Sequence, residues 1–171
     1  STPKPSSAAS DVYKRQLQRT IFIVRQRGKS GEGRSAIHDR LADGDNVVLF
    51  AEGTAADGNH VLPFKSSMFA AAEAADGLEP EVQPVSIAYT HLNQLPLGRR
   101  ARHQLAWYGR MSLGKHFWYL LGQGEVRVAI TLHPGAHLSE FGSRKALAAH
   151  CHRLVAISHA EALSVSPAMS V

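Results

Sequence analysis

The chain has 171 residues, 44% of them apolar, and a formal net charge of +5, enough length for one domain with a full hydrophobic core. A single cysteine excludes an internal disulfide framework and suits a reducing compartment. No apolar run approaches the ~20 residues of a membrane-spanning helix, and Ser1 to Gln16 lacks the apolar centre of a signal peptide. The basic balance favours anionic partners, whether phosphorylated metabolites, anionic lipid headgroups or nucleic acid.

In chain order, Ser1 to Ser10 is rich in Ser, Pro and Ala without periodicity and is expected to be disordered. Residues 1–16 read as a leader foreign to the domain, the domain itself as 17–163, and 164–171 as a flexible tail. Thr20 to Val24 is a β-branched and aromatic run that predicts a buried strand ending at Arg25. Arg34 to Leu41 predicts a short helix closed by Asp43-Gly44, and Asn46 to Phe50 a second strand. Ser66 to Ala75 is alanine-rich and predicts a helix stopped by Gly77. Val82 to Tyr89 predicts a third strand, where Pro84 requires an edge, a bulge or the strand's start.

His91 to Gln104 reads as a basic, irregular connection, Trp107 to Gly122 as a helix carrying aromatics and leucines, and Glu125 to Leu132 as another strand. Ser143 to Leu163 predicts a long amphipathic helix with Ser143 as its cap. Cys151 falls inside it, as a buried apolar residue rather than a nucleophile. Alternating strands and helices predict an α/β fold: one domain with a largely parallel central sheet flanked by helices.

The apolar run Asn46 to Phe50 stops at Glu52-Gly53-Thr54, followed by a polar loop with an Asp57-Gly58 turn and then Pro63-Phe64-Lys65. Open α/β sheets place ligand chemistry where apolar strands end in small polar residues. Glu52 would be costly to bury unpaired, so it is expected to meet a cation or hydroxyl, with Arg25 the natural partner. Gly53 permits close backbone approach, and Thr54 offers a hydroxyl and an amide. Arg25, leaving a buried strand, can grip a phosphate in two-pronged fashion. Lys65 adds a positive charge at the start of the next helix.

Phe50-Ala51-Glu52-Gly53-Thr54 followed by Pro63-Phe64-Lys65 resembles the Phe-Pro-Glu-Gly-Thr block of the glycerolipid acyltransferases, the 1-acylglycerol-3-phosphate acyltransferase family. Ile21 to Arg25 resembles that family's preceding block, and Val82-Gln83-Pro84-Val85-Ser86-Ile87 its following Val-Pro-Val-x-Ile strand, in family order. Trp107-Tyr108-Gly109 and the long last helix are similar to a bacterial branch that includes enzymes acting on lyso-ornithine lipids. The resemblance covers Leu17 to Leu163 and is loosest after Tyr89. It implies transfer of a fatty acyl group from acyl-CoA or acyl carrier protein to a lysophospholipid hydroxyl, with no other cofactor and no metal. Arg25, Glu52, Gly53, Thr54, Lys65 and Pro84 become the expected substrate-binding residues. The departures are Ala51 for the family's proline and Ala55 where many members carry arginine.

The family's base is the histidine of a His-x-x-x-x-Asp motif upstream of the arginine strand, and no histidine stands upstream of Thr20. His38 to Asp43 spells the motif in the wrong place, on the expected linking helix, and is rejected. The resemblance therefore implies a chain lacking its amino-terminal part, and its catalytic residues stay unassigned. Gly28-Lys29-Ser30 lacks the earlier glycine of a nucleotide-binding loop. His133 with His137, and His150 with His152, are spaced wrongly for one chelate and are expected to be surface histidines.

From His91 to Tyr119, Arg99, Arg100, Arg102, Arg110 and Lys115 mix with Leu95, Leu97, Trp107, Phe117, Trp118 and Tyr119. That mixture suits an anionic membrane surface, or equally a solvated loop beside a core-facing helix. The expected location is peripheral, at the cytoplasmic face of a membrane. A non-catalytic lipid- or phosphate-binding remnant is the alternative; a nucleic-acid module ranks lower, because no nucleic-acid motif accompanies the charge.

Overall fold

A computed structural model describes residues 37–73, 79–109 and 111–164, in two compact units divided after Val48. In the first unit residues 37–42 are helical. The helix closes as expected: Gly44 takes a φ of +81° and its N–H donates to the Leu41 carbonyl at 3.1 Å. Arg40 Nη1 donates to Asp45 Oδ2 at 3.0 Å and fixes the turn.

The second unit is built on a three-stranded sheet in the order β2-β1-β3, with β1 Val85–Leu92, β2 Leu95–Pro96 and β3 Val126–Leu132. Both pairings are antiparallel, so the described residues carry no parallel sheet, contrary to the sequence expectation. Thr20 to Val24, the first expected strand, lies outside the described residues. Asn46 to Phe50 forms no strand among the described residues, and Val48 and Phe50 are 82% and 79% exposed. An apolar run becomes a strand only where a neighbour takes its backbone groups, and no described rung reaches it.

Pro84 stands just before β1, where a residue without N–H costs no ladder bond. It is buried, and its carbonyl accepts from the His133 N–H at 3.0 Å. β1 turns into β2 through Asn93 and Gln94, both at positive φ, which matches the handedness of a tight hairpin. The chain then forms α1, Arg99–Leu105, and α2, Leu113–Leu121, before returning as β3. The expected irregular stretch from His91 is thus a hairpin and a helix. The expected helix from Trp107 starts only at Leu113, after Gly109 at φ +65° has broken the path.

Helix α3, Arg144–Ser164, lies on the sheet and on a 3-10 segment, Ser66–Ala72, that replaces the α-helix expected there. The tighter turn stacks i and i+3 side chains, and Phe69 and Ala72 are both buried. Ser143 caps α3 as expected, its Oγ accepting from the Ala146 N–H at 3.2 Å. Leu147, Ala148, Cys151, Val155 and His159 form the buried stripe. The core joins Ala51, Phe69, Ala72, Ala136, Leu147, Ala148 and Cys151, with Phe64, Met68, Val82, Leu138 and Phe141 around it. Beneath α3, β1 offers the small buried residues Ser86 and Ala88, and Ser86 Oγ meets Ser158 Oγ at 3.0 Å.

Candidate functional site

The Glu-Gly-Thr loop grows out of this core. Ala51, where the related motif has proline, is buried against the base of α3, and its carbonyl accepts from the Lys65 N–H at 2.9 Å. The loop from 51 to 65 is therefore closed at its neck by a backbone bond. A turn follows at once, with the Gly53 N–H donating to the Phe50 carbonyl at 3.0 Å. Gly53 holds φ +66°, a conformation that costs L-residues with a side chain about 1–2 kcal/mol.

Glu52 turns back into the loop, and Oε2 accepts from the Leu62 N–H at 2.8 Å. It thus satisfies a backbone amide, a structural duty that the sequence reading did not assign to it. Arg25, its expected partner, lies outside the described residues. Lys65 arches over the turn: a methyl group on Gly53 would stand 3.1 Å from Lys65 Cδ and 3.2 Å from Nζ. Lys65, an exposed residue, thus fills the space that a side chain on Gly53 would take, with exposed Thr54 next in the chain. A cation beside a turn of this kind is suited to an anionic headgroup.

The far side of the loop is pinned by residues that the sequence reading missed as partners. Asp57 Oδ1 accepts from the Asn59 N–H at 3.0 Å and Oδ2 from Asn59 Nδ2 at 3.1 Å. These bonds, the backbone one first, hold the Asp57 carboxyl below its ordinary pKa. Asn59 in turn accepts from Arg102 Nη1 at 3.2 Å, while Arg102 Nε and Nη2 both donate to the Leu97 carbonyl, at 3.1 and 2.8 Å. Arg102 is buried, and burial is the main cause drawing its pKa down. Its role is to join loop, strand end and α1. An alternating basic run offers no sign of which arginine turns inward.

Of the expected binding residues, the structure brings Glu52, Gly53, Thr54 and Lys65 together at one loop. Pro84 sits at the sheet entry, two residues after Val82, which packs on the same core as Ala51. His38 lies on the helix at 37–42 with Nδ1 3.9 Å from Asp39 Oδ1, and Asp43 is in the turn that ends it. The two histidine pairs are half-buried rather than on the surface. The His150 ring packs 4.6 Å from Phe141 and that of His152 5.5 Å from Phe64, because imidazole presents an apolar body as well as a polar edge.

Residues 10–88 match the acyltransferase family model. The chain belongs to the acyltransferase family. Within it, the similarity runs to the bacterial lyso-ornithine-lipid branch. The chain is 43% identical over 137 residues to a lyso-ornithine lipid O-acyltransferase of Brucella abortus, covering 77% of this chain and 51% of that protein. It is 37% identical to the enzyme of the same name from Rhizobium meliloti, over 76% of this chain and 46% of that one. It is 35% identical to that of Rhodobacter capsulatus, over 80% and 48%. The chain thus spans about half the length of the curated relatives it matches. No solved structure matches it significantly.

Proposed function

We propose that the protein transfers a fatty acyl group from a thioester, acyl-CoA or acyl carrier protein, to the hydroxyl of a lysolipid. The acceptor oxygen attacks the thioester carbonyl, a C–O bond forms, the C–S bond breaks, and the hydroxyl proton passes to a base as the thiol leaves. The Glu52-Gly53-Thr54 loop with Lys65 is assigned the acceptor side of this reaction. The catalytic base is assigned to no residue of this chain. No metal or cofactor other than the acyl thioester is invoked.

The observation that carries the reading is the loop geometry in a chain of this family: a positive side chain laid over a side-chain-free turn at the family's Glu-Gly-Thr position. Among the described residues the loop carries one cation, Lys65, and Ala55 stands where many members carry arginine, which favours an acceptor less charged than a phosphate monoester. The names of the relatives support a lyso-ornithine lipid as that acceptor, ahead of 1-acylglycerol-3-phosphate. The site of action would be the cytoplasmic face of an anionic membrane, with the protein peripheral to it. Among the described residues no helix is long and apolar enough to cross a membrane.

The test is thioester consumption by the full-length native protein with each acceptor in turn. Lyso-ornithine lipid should drive thiol release. Lys65→Met should raise the KM for the acceptor about tenfold, the value of one charge-assisted hydrogen bond, and leave kcat nearly unchanged. Absence of acceptor-dependent release with any lysolipid would end the enzyme reading.

A further inference from the structure

Helix α2 reads Leu-Gly-Lys-His-Phe-Trp-Tyr-Leu-Leu, and its one buried residue is His116, whose Nε2 lies 3.1 Å from the Leu105 carbonyl at the end of α1. At 100° per residue, the face opposite His116 is made by Gly114, Trp118 and Leu121, with Phe117 on one flank and Lys115 on the other. Trp118 is 73% exposed, Leu121 60% and Phe117 54%. Scattered exposed apolar residues need no explanation, but an aromatic–leucine cluster on one short helix does.

Along the chain this helix falls in a stretch with one sign of charge. Between Glu81 and Glu125 the sequence contains no Asp or Glu, while it contains Arg99, Arg100, Arg102, Arg110 and Lys115. Arg99, Arg100 and Lys115 are exposed. Helix α1, which holds Arg99 and Arg100 at its start, is only about 10 Å long, so these arginines lie within a headgroup's reach of the end that α2 touches. The β1–β2 hairpin closes the patch. Its tip is tied to the end of α2, with Asn93 Nδ2 donating to the Gln123 carbonyl at 3.0 Å and the Glu125 N–H to Asn93 Oδ1 at 2.9 Å. Leu95, beside that tip, is 71% exposed.

We propose that α2 is an interfacial helix. It lies in the plane of an anionic lipid surface with Phe117, Trp118 and Leu121 in the acyl boundary and Leu95 beside them, while Arg99, Arg100 and Lys115 engage lipid phosphates. An apolar helix face set in a basic stretch of chain, with exposed cations beside it, is the pattern that binds such a surface. A protein partner's groove would meet the same apolar face with no need for the missing acids. The proposal rests on the lipid acyltransferase reading only for the choice of lipid as partner, and vesicle binding is measured without substrate. Intact binding with no acyl transfer would therefore overturn that reading and leave this one standing.

The experiment is co-sedimentation of the full-length protein with vesicles of phosphatidylcholine alone and with phosphatidylglycerol added. The anionic vesicles should bind it more tightly. The triple variant F117S/W118S/L121S should lose at least about tenfold in partition. R99Q/R100Q should lose about tenfold on the anionic vesicles only. A second measurement is independent of these substitutions: in a variant with every tryptophan except Trp118 replaced by phenylalanine, Trp107 among them, the emission should shift to the blue and be quenched by lipids brominated on the acyl chain. Binding unchanged in the triple variant, or Trp118 emission indifferent to anionic vesicles, would overturn the proposal. So would a dimer that this triple variant dissociates in the absence of any vesicle affinity.

Discussion

Two helices of this protein invert the usual link between hydrophobicity and burial. Helix α3 has 21 residues, mostly small or polar, and supplies the core with Leu147, Ala148, Cys151 and Val155. Helix α2 has nine, six of them large aliphatic or aromatic residues, and turns five of those six outward. The difference teaches that the core selects for fit. Small residues on α3 let it lie against Ser86 and Ala88 of β1, whereas the large side chains of α2 are left exposed. Burial follows complementarity, and excess hydrophobicity left outside it points to a partner.

The comparison breaks most readily at Leu147, which is fully buried. Leu147→Ala should cost about 3 kcal/mol in urea unfolding, whereas Trp118→Ala, removing a larger apolar side chain, should stay within about 0.5 kcal/mol. Equal losses would mean that α2 is a core element after all. Next comes the anchor of the α1–α2 side: Arg102→Met leaves the Leu97 carbonyl without its two donors and should cost about 2 kcal/mol by the same measurement. A neutral result would show that Arg102 is incidental to the loop's placement.

A smaller effect should appear with pH. Burial first, then the charges of Arg102 and His60, hold the pKa of His159 on α3 below the ordinary histidine value of ~6.5. The unfolded chain therefore takes up that proton first. The contribution to stability is full above the unfolded value and is lost as pH falls through the folded one. His159→Leu should flatten the acid side of the stability curve, and an unaltered slope would remove His159 from the account. The least visible effect is chemical. Cys151, its thiol pushed up to about 11 mainly by burial, should resist alkylation in the native protein and react only after unfolding.

Much of this architecture was legible because it depends on local chemistry. Ser143 is a helix cap, Pro84 precedes a strand, and Asp43-Gly44 ends a helix, each for reasons carried by the residue itself. The Glu52-Gly53-Thr54 turn was legible as a polar break after an apolar run for the same reason. The antiparallel hairpin at Leu92–Leu95 was not, because its positive φ angles fall on Asn93 and Gln94 with no glycine to announce them. Nor was the bond between Arg102 and Asn59, which are 43 residues apart. The choice of Arg102 over Arg99 or Arg100 is decided by which face of α1 meets the Leu97 carbonyl. Asn46 to Phe50 failed as a strand for a related reason: its pattern describes a surface, and pairing needs a neighbour.

The tie at Asn93 has a mechanical consequence. Its backbone N–H and its side-chain amide grip Glu125 and Gln123, and Gly124 leaves no space there for even a methyl group beside the Asn93 side chain. The joint between α2 and β3 is therefore stiff rather than a swivel. Tilting α2 would carry β1 and β3 with it, and with β1 the core that seats Ala51. A torque applied at the tryptophan would arrive at the Glu-Gly-Thr loop as a change of heading.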